Sequence, residues 1–130
     1  AGSMDSKIFN KEPLFNGFQW LYLTPNPSAL AVVDDYGKLV GTLSVSDVRG
    51  VSLPDVTTAL QMSVGDFLRE NRQTEQVTCT PDSTLGSVMK SLVDHQVHRV
   101  WVVDQGGKPV GVVTLTDVIR LFLTSQQQSS

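Results

Sequence analysis

Apolar and polar residues alternate along this chain in short blocks, and the blocks recur in a fixed order. Leu30 to Val33 and Val100 to Val103 are runs dominated by aliphatic and β-branched residues, the composition that suits buried strands. Each ends at an Asp followed within a few residues by Gly37, or by Gly106 and Gly107, which is a hairpin signature. Val40 to Val45 and Val110 to Leu115 supply the returning strands. A helix is expected after each hairpin. Ser44 with Asp47, and Thr114 with Asp117, place a hydroxyl and a carboxylate three residues apart, where they satisfy the free N–H groups of a helix start. The second of these leads into the apolar segment Val118 to Leu123.

The segments upstream follow the same logic. Val77-Thr78-Cys79 reads as a strand and Pro81 to Thr84 as a turn with a helix cap. Leu85, Val88, Met89 and Leu92 then fall at helical spacing and predict one apolar stripe facing the core. The order is strand, helix, strand, strand, helix. Near the start, the same order predicts a strand over Lys7 to Asn10 and a helix over Leu14 to Leu23, with Leu14, Phe15, Phe18 and Tyr22 as its buried stripe. Gly17 and the Pro25-Asn26-Pro27 turn fit that helix less well. Between the two sets, Ser52 to Gln61 reads as a connection with a short helix behind Pro54, and Ser63 to Glu70 as another helix capped by Ser63.

The recurrence is visible in the residues themselves. Val32 to Gly41 lies over Val102 to Gly111 without a gap, each pair 70 residues apart, and Ser44 to Val48 falls on Thr114 to Val118 at the same offset. Internal similarity at a constant spacing marks a repeated structural unit. The expected fold is therefore α/β, with two β-α-β-β-α motifs. The first motif with its linker takes residues 5–61 and the second 62–124. Residues 1–4 read as a cloning remnant and 125–130 as a disordered tail, its polar end from Gln126 fraying into solvent.

Composition narrows the function. The chain has 130 residues, 40% hydrophobic and 18% charged, an ordinary globular balance. A formal net charge of −3 gives no general attraction for a polyphosphate backbone, so nucleic acid is not an expected partner. Cys79 is the single cysteine, which rules out an internal disulfide. No apolar run approaches the roughly 20 residues of a membrane helix. An intracellular, reducing setting, cytoplasmic or nuclear, is expected. The enzyme signatures are missing: there is no nucleophile elbow, paired Cys ligands, Walker-type phosphate loop or His–Glu metal spacing. His95 and His98 share a helical spacing, but two ligands without a third and fourth make a poor metal site. No catalytic residue and no metal ligand is therefore expected. Trp20 and Trp101 read as packing residues, and Lys38 and Lys108 as solvated turn residues.

From about Ile8 to Leu123 the chain resembles a tandem pair of CBS motifs, a Bateman module. The similarity is most specific over Leu30–Val48 and Val77–Leu121. Within that family Val97-His98-Arg99-Val100, the Val102-Val103-Asp104 strand end, Gly111 to Asp117 and Ser44 to Gly50 are most similar to γ regulatory subunits of AMP-activated and sucrose-non-fermenting-type protein kinases. A γ subunit has four such motifs and this chain has room for two. The resemblance implies that the motifs pack about a pseudo-twofold axis with nucleotide-sized sites in the cleft between them. It implies a regulatory ligand, AMP, ADP or ATP, with no other cofactor. Homodimers formed through helices, and a protein kinase or other regulated protein as partner, are implied as well.

The resemblance also assigns residues. Asp117 and Asp47 become ribose acceptors beside Thr114 and Ser44, although helix-start chemistry alone accounts for both carboxylates. His98 and Arg99 match the phosphate-contacting pair, an arginine fork being suited to phosphate oxygens; the alternative is a surface arginine and a histidine that covers the core. Val77, Thr78 and Cys79, with Val112 and Val113, match the adenine slot, though such residues in strands are commonly plain core. The first copy has Ser28 and Ala29 where His98 and Arg99 stand, so occupancy of one site is expected. The alternative to a nucleotide sensor is a CBS-type dimerisation module that binds no small molecule.

Overall fold

The structure is a computed structural model, and it describes residues 6–25, 29–71 and 76–128. The chain divides into two compact units, Ala1–Glu75 and Gln76–Ser130. No helix among the described residues is long and apolar enough to cross a membrane.

The first unit contains β1 (Lys7–Phe9), α1 (Leu14–Leu23), β2 (Ala29–Val33), β3 (Leu39–Ser44) and α2 (Val45–Arg49). A 3-10 turn (Leu53–Asp55), α3 (Val56–Gln61) and α4 (Val64–Glu70) follow. The sheet has the order β1-β2-β3, with β1 parallel and β3 antiparallel to β2. One face carries Ile8, Leu30, Val32 and Leu43 into a core completed by Leu14, Leu21, Val64 and Phe67. The hairpin turn is held by Asp34, whose Oδ1 accepts from the N–H of Tyr36 (2.9 Å) and of Lys38 (3.0 Å). Gly37 takes a φ of 82° there, a value that suits a residue without Cβ.

The stripe of α1 differs from the expected one. Leu14, Gly17 and Leu21 face the core, whereas Phe15 is 50% and Tyr22 87% exposed. Phe18 is half-buried and meets Phe67 edge-on at 5.9 Å. The cause is Gly17, where an added Cβ would lie 2.5 Å from Leu43 Cδ2. The missing side chain lets the helix close on the sheet along its 14/17/21 edge. That rotation turns 15 and 22, each one residue further round, to solvent.

Helix α4 is capped as expected, Ser63 Oγ accepting from Asp66 N at 3.1 Å. Its backbone is tied to the first unit by Val64 N to Glu12 O (2.8 Å) and Gly65 N to Asn10 O (2.7 Å). Residues 62–71, which open the second motif in the sequence reading, therefore pack within the first unit because Val64, Phe67 and Leu68 are buried there.

The second unit repeats the order with β4 (Thr78–Cys79), α5 (Leu85–Asp94), β5 (Arg99–Val103), β6 (Pro109–Thr114) and α6 (Leu115–Gln128). Asp104 repeats the turn, accepting from Gly106 N (2.9 Å) and Lys108 N (3.0 Å), with Gly107 at φ 82°. Thr84 Oγ1 caps α5 by accepting from Ser87 N at 3.2 Å. Val88, Leu92, Val100 and Val118 form the core. Leu85 and Met89, expected in the buried stripe, are 42% and 39% exposed. A single sheet face beneath a ten-residue helix covers one edge of the stripe and leaves the other in a groove. Trp101 is buried, and Trp20 packs half-buried on the first core. Helix α6 runs to Gln128, past the point where fraying is expected, since glutamine is a good helix former and extends an existing helix at little cost.

From the second strand of each motif onward the units correspond at 70 residues, Ala31 matching Trp101. Through the first strand and helix they correspond at 71, Lys7 matching Thr78. The connection between α1 and β2 is one residue longer than that between α5 and β5.

Candidate functional site

Strand pairing sets which side chains share a face. Residues opposite one another in a sheet project to the same side, and successive residues alternate. In the second unit Thr78 pairs with Trp101 and Trp101 with Val112, while Arg99 pairs with Thr114. Thr78, Arg99, Trp101, Val112 and Thr114 therefore lie on one face. Val77, Cys79 and Val113 project to the other, where they pack against the core. Of the expected adenine-slot residues, the sheet thus brings Thr78 and Val112 to the same face as Arg99 and Thr114 and turns the side chains of Val77, Cys79 and Val113 away. The strand β4 is at the edge of its sheet, so the backbone groups on its outer side have no strand partner within that sheet. Burial raises the Cys79 thiol above its ordinary pKa, opposed in part by its hydrogen bond with Ser83, so the residue stays a neutral thiol near pH 7.

Asp117 is positioned by the start of α6. Its Oδ2 accepts from Thr114 N at 3.0 Å, and its own N–H donates to Thr114 Oγ1 at 3.1 Å. This reciprocal cap leaves Oδ1 pointing to the exposed Arg120, whose Nη1 is 3.9 Å away. An exposed pair at that distance is screened and contributes little. His98 is joined to the same helix start because its carbonyl accepts from Leu115 N at 2.9 Å. His98 is exposed, and Arg99 is half-buried at the first position of β5. One end of the β5–β6 hairpin thus gathers His98, Arg99, Thr114 and Asp117: two groups suited to an anion, a hydroxyl, and a carboxylate with an oxygen to spare. Just ahead, Gln96 ends α5 with a φ of 53°. His95 is separate from this group, its Nδ1 lying 3.0 Å from Ser91 O on α5. Among the described residues no group of three or more His, Cys, Asp or Glu is placed to hold a metal ion.

The first unit builds the same scaffold with other chemistry. Asp47 Oδ2 accepts from Ser44 N (2.7 Å) and from Ser44 Oγ (3.2 Å). Ala29 pairs with Ser44 and Ala31 with Thr42, so two alanines occupy the places of Arg99 and Trp101. Ser28 lies outside the described residues. Lys7 pairs with Ala31 and shares its face, a cation that the sequence reading did not single out because the parallel register of β1 has no local signal.

The CBS domain family profile matches residues 22–53 and 64–124. The 5'-AMP-activated protein kinase subunit gamma of Kluyveromyces lactis is 34% identical over 116 residues, covering 88% of this chain and 35% of that protein. The SNF1-related protein kinase regulatory subunit gamma-like PV42a of Arabidopsis thaliana is 40% identical over 85 residues, covering 64% of this chain and 24% of its own length. The chain spans about a quarter to a third of the length of these relatives. Among solved structures, CBSX2 in complex with AMP superposes with a TM-score of 0.72 at 22% identity, covering 92% of this chain and 87% of that one, which is a likeness of fold.

Proposed function

Because the chain belongs to the CBS domain family, we propose that it is a non-catalytic regulatory module that binds an adenine nucleotide, AMP, ADP or ATP. The gathering of His98, Arg99, Thr114 and Asp117 at one end of β5–β6 carries the reading. Asp117 accepts from the ribose hydroxyls through the oxygen its cap leaves over, with Thr114 beside it. Arg99 and His98 hold phosphate oxygens. The adenine lies against Val112 and Thr78, its edge bonded to the backbone of Val77 to Cys79. Each charge-assisted bond contributes about 1.5–3 kcal/mol. Ser44 and Asp47 offer the counterpart in the first unit, without a matching arginine, so one site is filled. Relatives named as kinase γ subunits support a protein kinase as the regulated partner, in the cytoplasm or nucleus. Self-association as a homodimer belongs to the same reading, and nucleic acid does not.

Isothermal titration with AMP, ADP, ATP and adenosine tests it. The expected result is saturable binding of one nucleotide per chain, with about 2.7 kcal/mol of stabilisation at a hundredfold excess over the dissociation constant. A second reading rests on the caps: Asp47 and Asp117 are already engaged by their helix starts, as a dimerisation module without ligand would have them. No heat and no thermal shift with any of the four would establish that reading instead.

A further inference from the structure

The two units differ where their second helices run on. Helix α2 has five residues and stops at Gly50, whereas its counterpart α6 has 14. Gly50 and Pro54 interrupt the first of these, since neither sustains a helix, and the chain folds back through the 3-10 turn, α3 and α4. The fold-back lines a groove of about 520 Å3. Ala59 and Phe67 are buried beneath it and Met62 is half-buried, so its floor is apolar. Two exposed carboxylates, Asp55 and Glu70, stand in the lining and no cation does. Among the described residues neither carboxylate is in a salt bridge. The arginines of α2 and α4 are engaged elsewhere: Arg69 pairs with Asp66, and Arg49 lines the surface shared with Phe18 and Tyr22 of α1. Glu70 also ends α4, where the partial negative charge of the helix terminus adds to its own and a carboxylate lowers stability.

An apolar floor beside unpaired carboxylates matches a guest that is apolar along its stem and cationic at its tip, which is the form of a lysine or arginine side chain. The rest of the lining suits the backbone that carries such a side chain. Thr58 contributes a hydroxyl, and Asn71, whose Nδ2 donates to Phe67 O at 2.8 Å, keeps its Oδ1 as an acceptor for a main-chain N–H. We propose that this groove docks a basic segment of a partner protein, a Lys or Arg stem lying on Met62 and Phe67 and its charged head held by the carboxylates of Asp55 and Glu70. The groove shares no residue with the group of His98, Arg99, Thr114 and Asp117, so the inference goes beyond the nucleotide reading and does not depend on it.

Peptide selection tests it. A phage-displayed library of random peptides about twelve residues long is panned on the parent protein, and the enriched sequences are synthesised with a fluorescent label and titrated by anisotropy. They should contain Lys or Arg beside apolar residues and bind about tenfold more weakly to Asp55→Lys and to Glu70→Lys, each variant first checked for parental circular dichroism. Asp55 is the N-cap of α3, so its replacement can disturb the fold; Glu70→Lys places a cation at a helix C-terminus and should fold at least as well as the parent. Thr58→Trp should fill the groove and weaken binding by about tenfold too. Asp94→Lys makes the same change of charge on the second unit and should stay within about threefold of the parent, which separates the groove from general attraction to an acidic protein. No enrichment, enriched peptides without a basic residue, or an equal loss in Asp94→Lys would each overturn the proposal. Titration of AMP into the same samples keeps the two readings apart. Peptide binding by a chain that ignores AMP sinks the nucleotide site alone, and AMP binding without peptide enrichment sinks the groove alone.

Discussion

The two units share one scaffold and differ in the side chains on one sheet face. Their hairpin turns are built by the same carboxylate contacts, Asp34 to the amides of Tyr36 and Lys38 and Asp104 to those of Gly106 and Lys108. Their second helices start on an Asp that reaches back to a Ser or Thr. On one sheet face they part: the first unit places Ala29, Ala31, Thr42 and Ser44 where the second places Arg99, Trp101, Val112 and Thr114. Residues that make the backbone turn or stop have counterparts in both units, Ser44 and Asp47 matching Thr114 and Asp117, whereas Arg99 and Trp101 are matched by alanines. The comparison teaches that the repeat reports the fold, while the chemistry of the sheet face varies on it.

The largest effect that tests this comparison concerns the helix-to-sheet contact. Val88 and Gly17 occupy equivalent positions, one filling its core and the other letting α1 close on Leu43. Val88→Gly should cost about 3 kcal/mol through lost apolar burial and a glycine inside a helix. Gly17→Val should cost about 1–3 kcal/mol by overpacking against the fully buried Leu43. Urea unfolding followed by circular dichroism measures both, and a neutral Gly17→Val would show that α1 does not need its close approach. Next in size is the carboxylate pair. Asp117→Ala should weaken AMP and adenosine alike by roughly tenfold to a hundredfold, whereas Asp47→Ala should leave the occupied site within about threefold of the parent. Equal losses from the two variants, by calorimetry, would make the units functionally equivalent. The smallest effect is at the end of α5, where Gln96 has a φ of 53°. Gln96→Gly should raise stability by about 0.5–1 kcal/mol by relieving a left-handed conformation, visible as a higher urea midpoint at unchanged slope.

Much of this architecture was legible along the chain because its determinants are local. The Asp-to-Gly turns, the Ser63 and Thr84 caps and the Ser44/Asp47 and Thr114/Asp117 helix starts each lie within a few residues of what they stabilise. What was not legible depends on distant partners. The buried edge of α1 is set by Gly17 meeting Leu43, so the exposure of Phe15 and Tyr22 has no local signature. Lys7 joins the face of Ala31 only through the parallel register that pairs the two. Val77 and Cys79 stand in the expected strand, but the register of Thr78 with Trp101 turns their side chains to the core. His98, Arg99, Thr114 and Asp117 could be singled out along the chain as candidates; which of the candidate residues share a sheet face could not.

The asymmetry of the two units is tested most directly at Arg99, a cation that has an alanine as its counterpart. Arg99→Ala, with its fold verified by circular dichroism, should be titrated by calorimetry with AMP and with adenosine beside the parent. Loss of the guanidinium fork should weaken AMP by roughly tenfold to more than a hundredfold while adenosine, which lacks the phosphate, stays within about threefold. AMP binding as tight as the parent's would contradict the phosphate assignment and with it the account of the second unit as the occupied half.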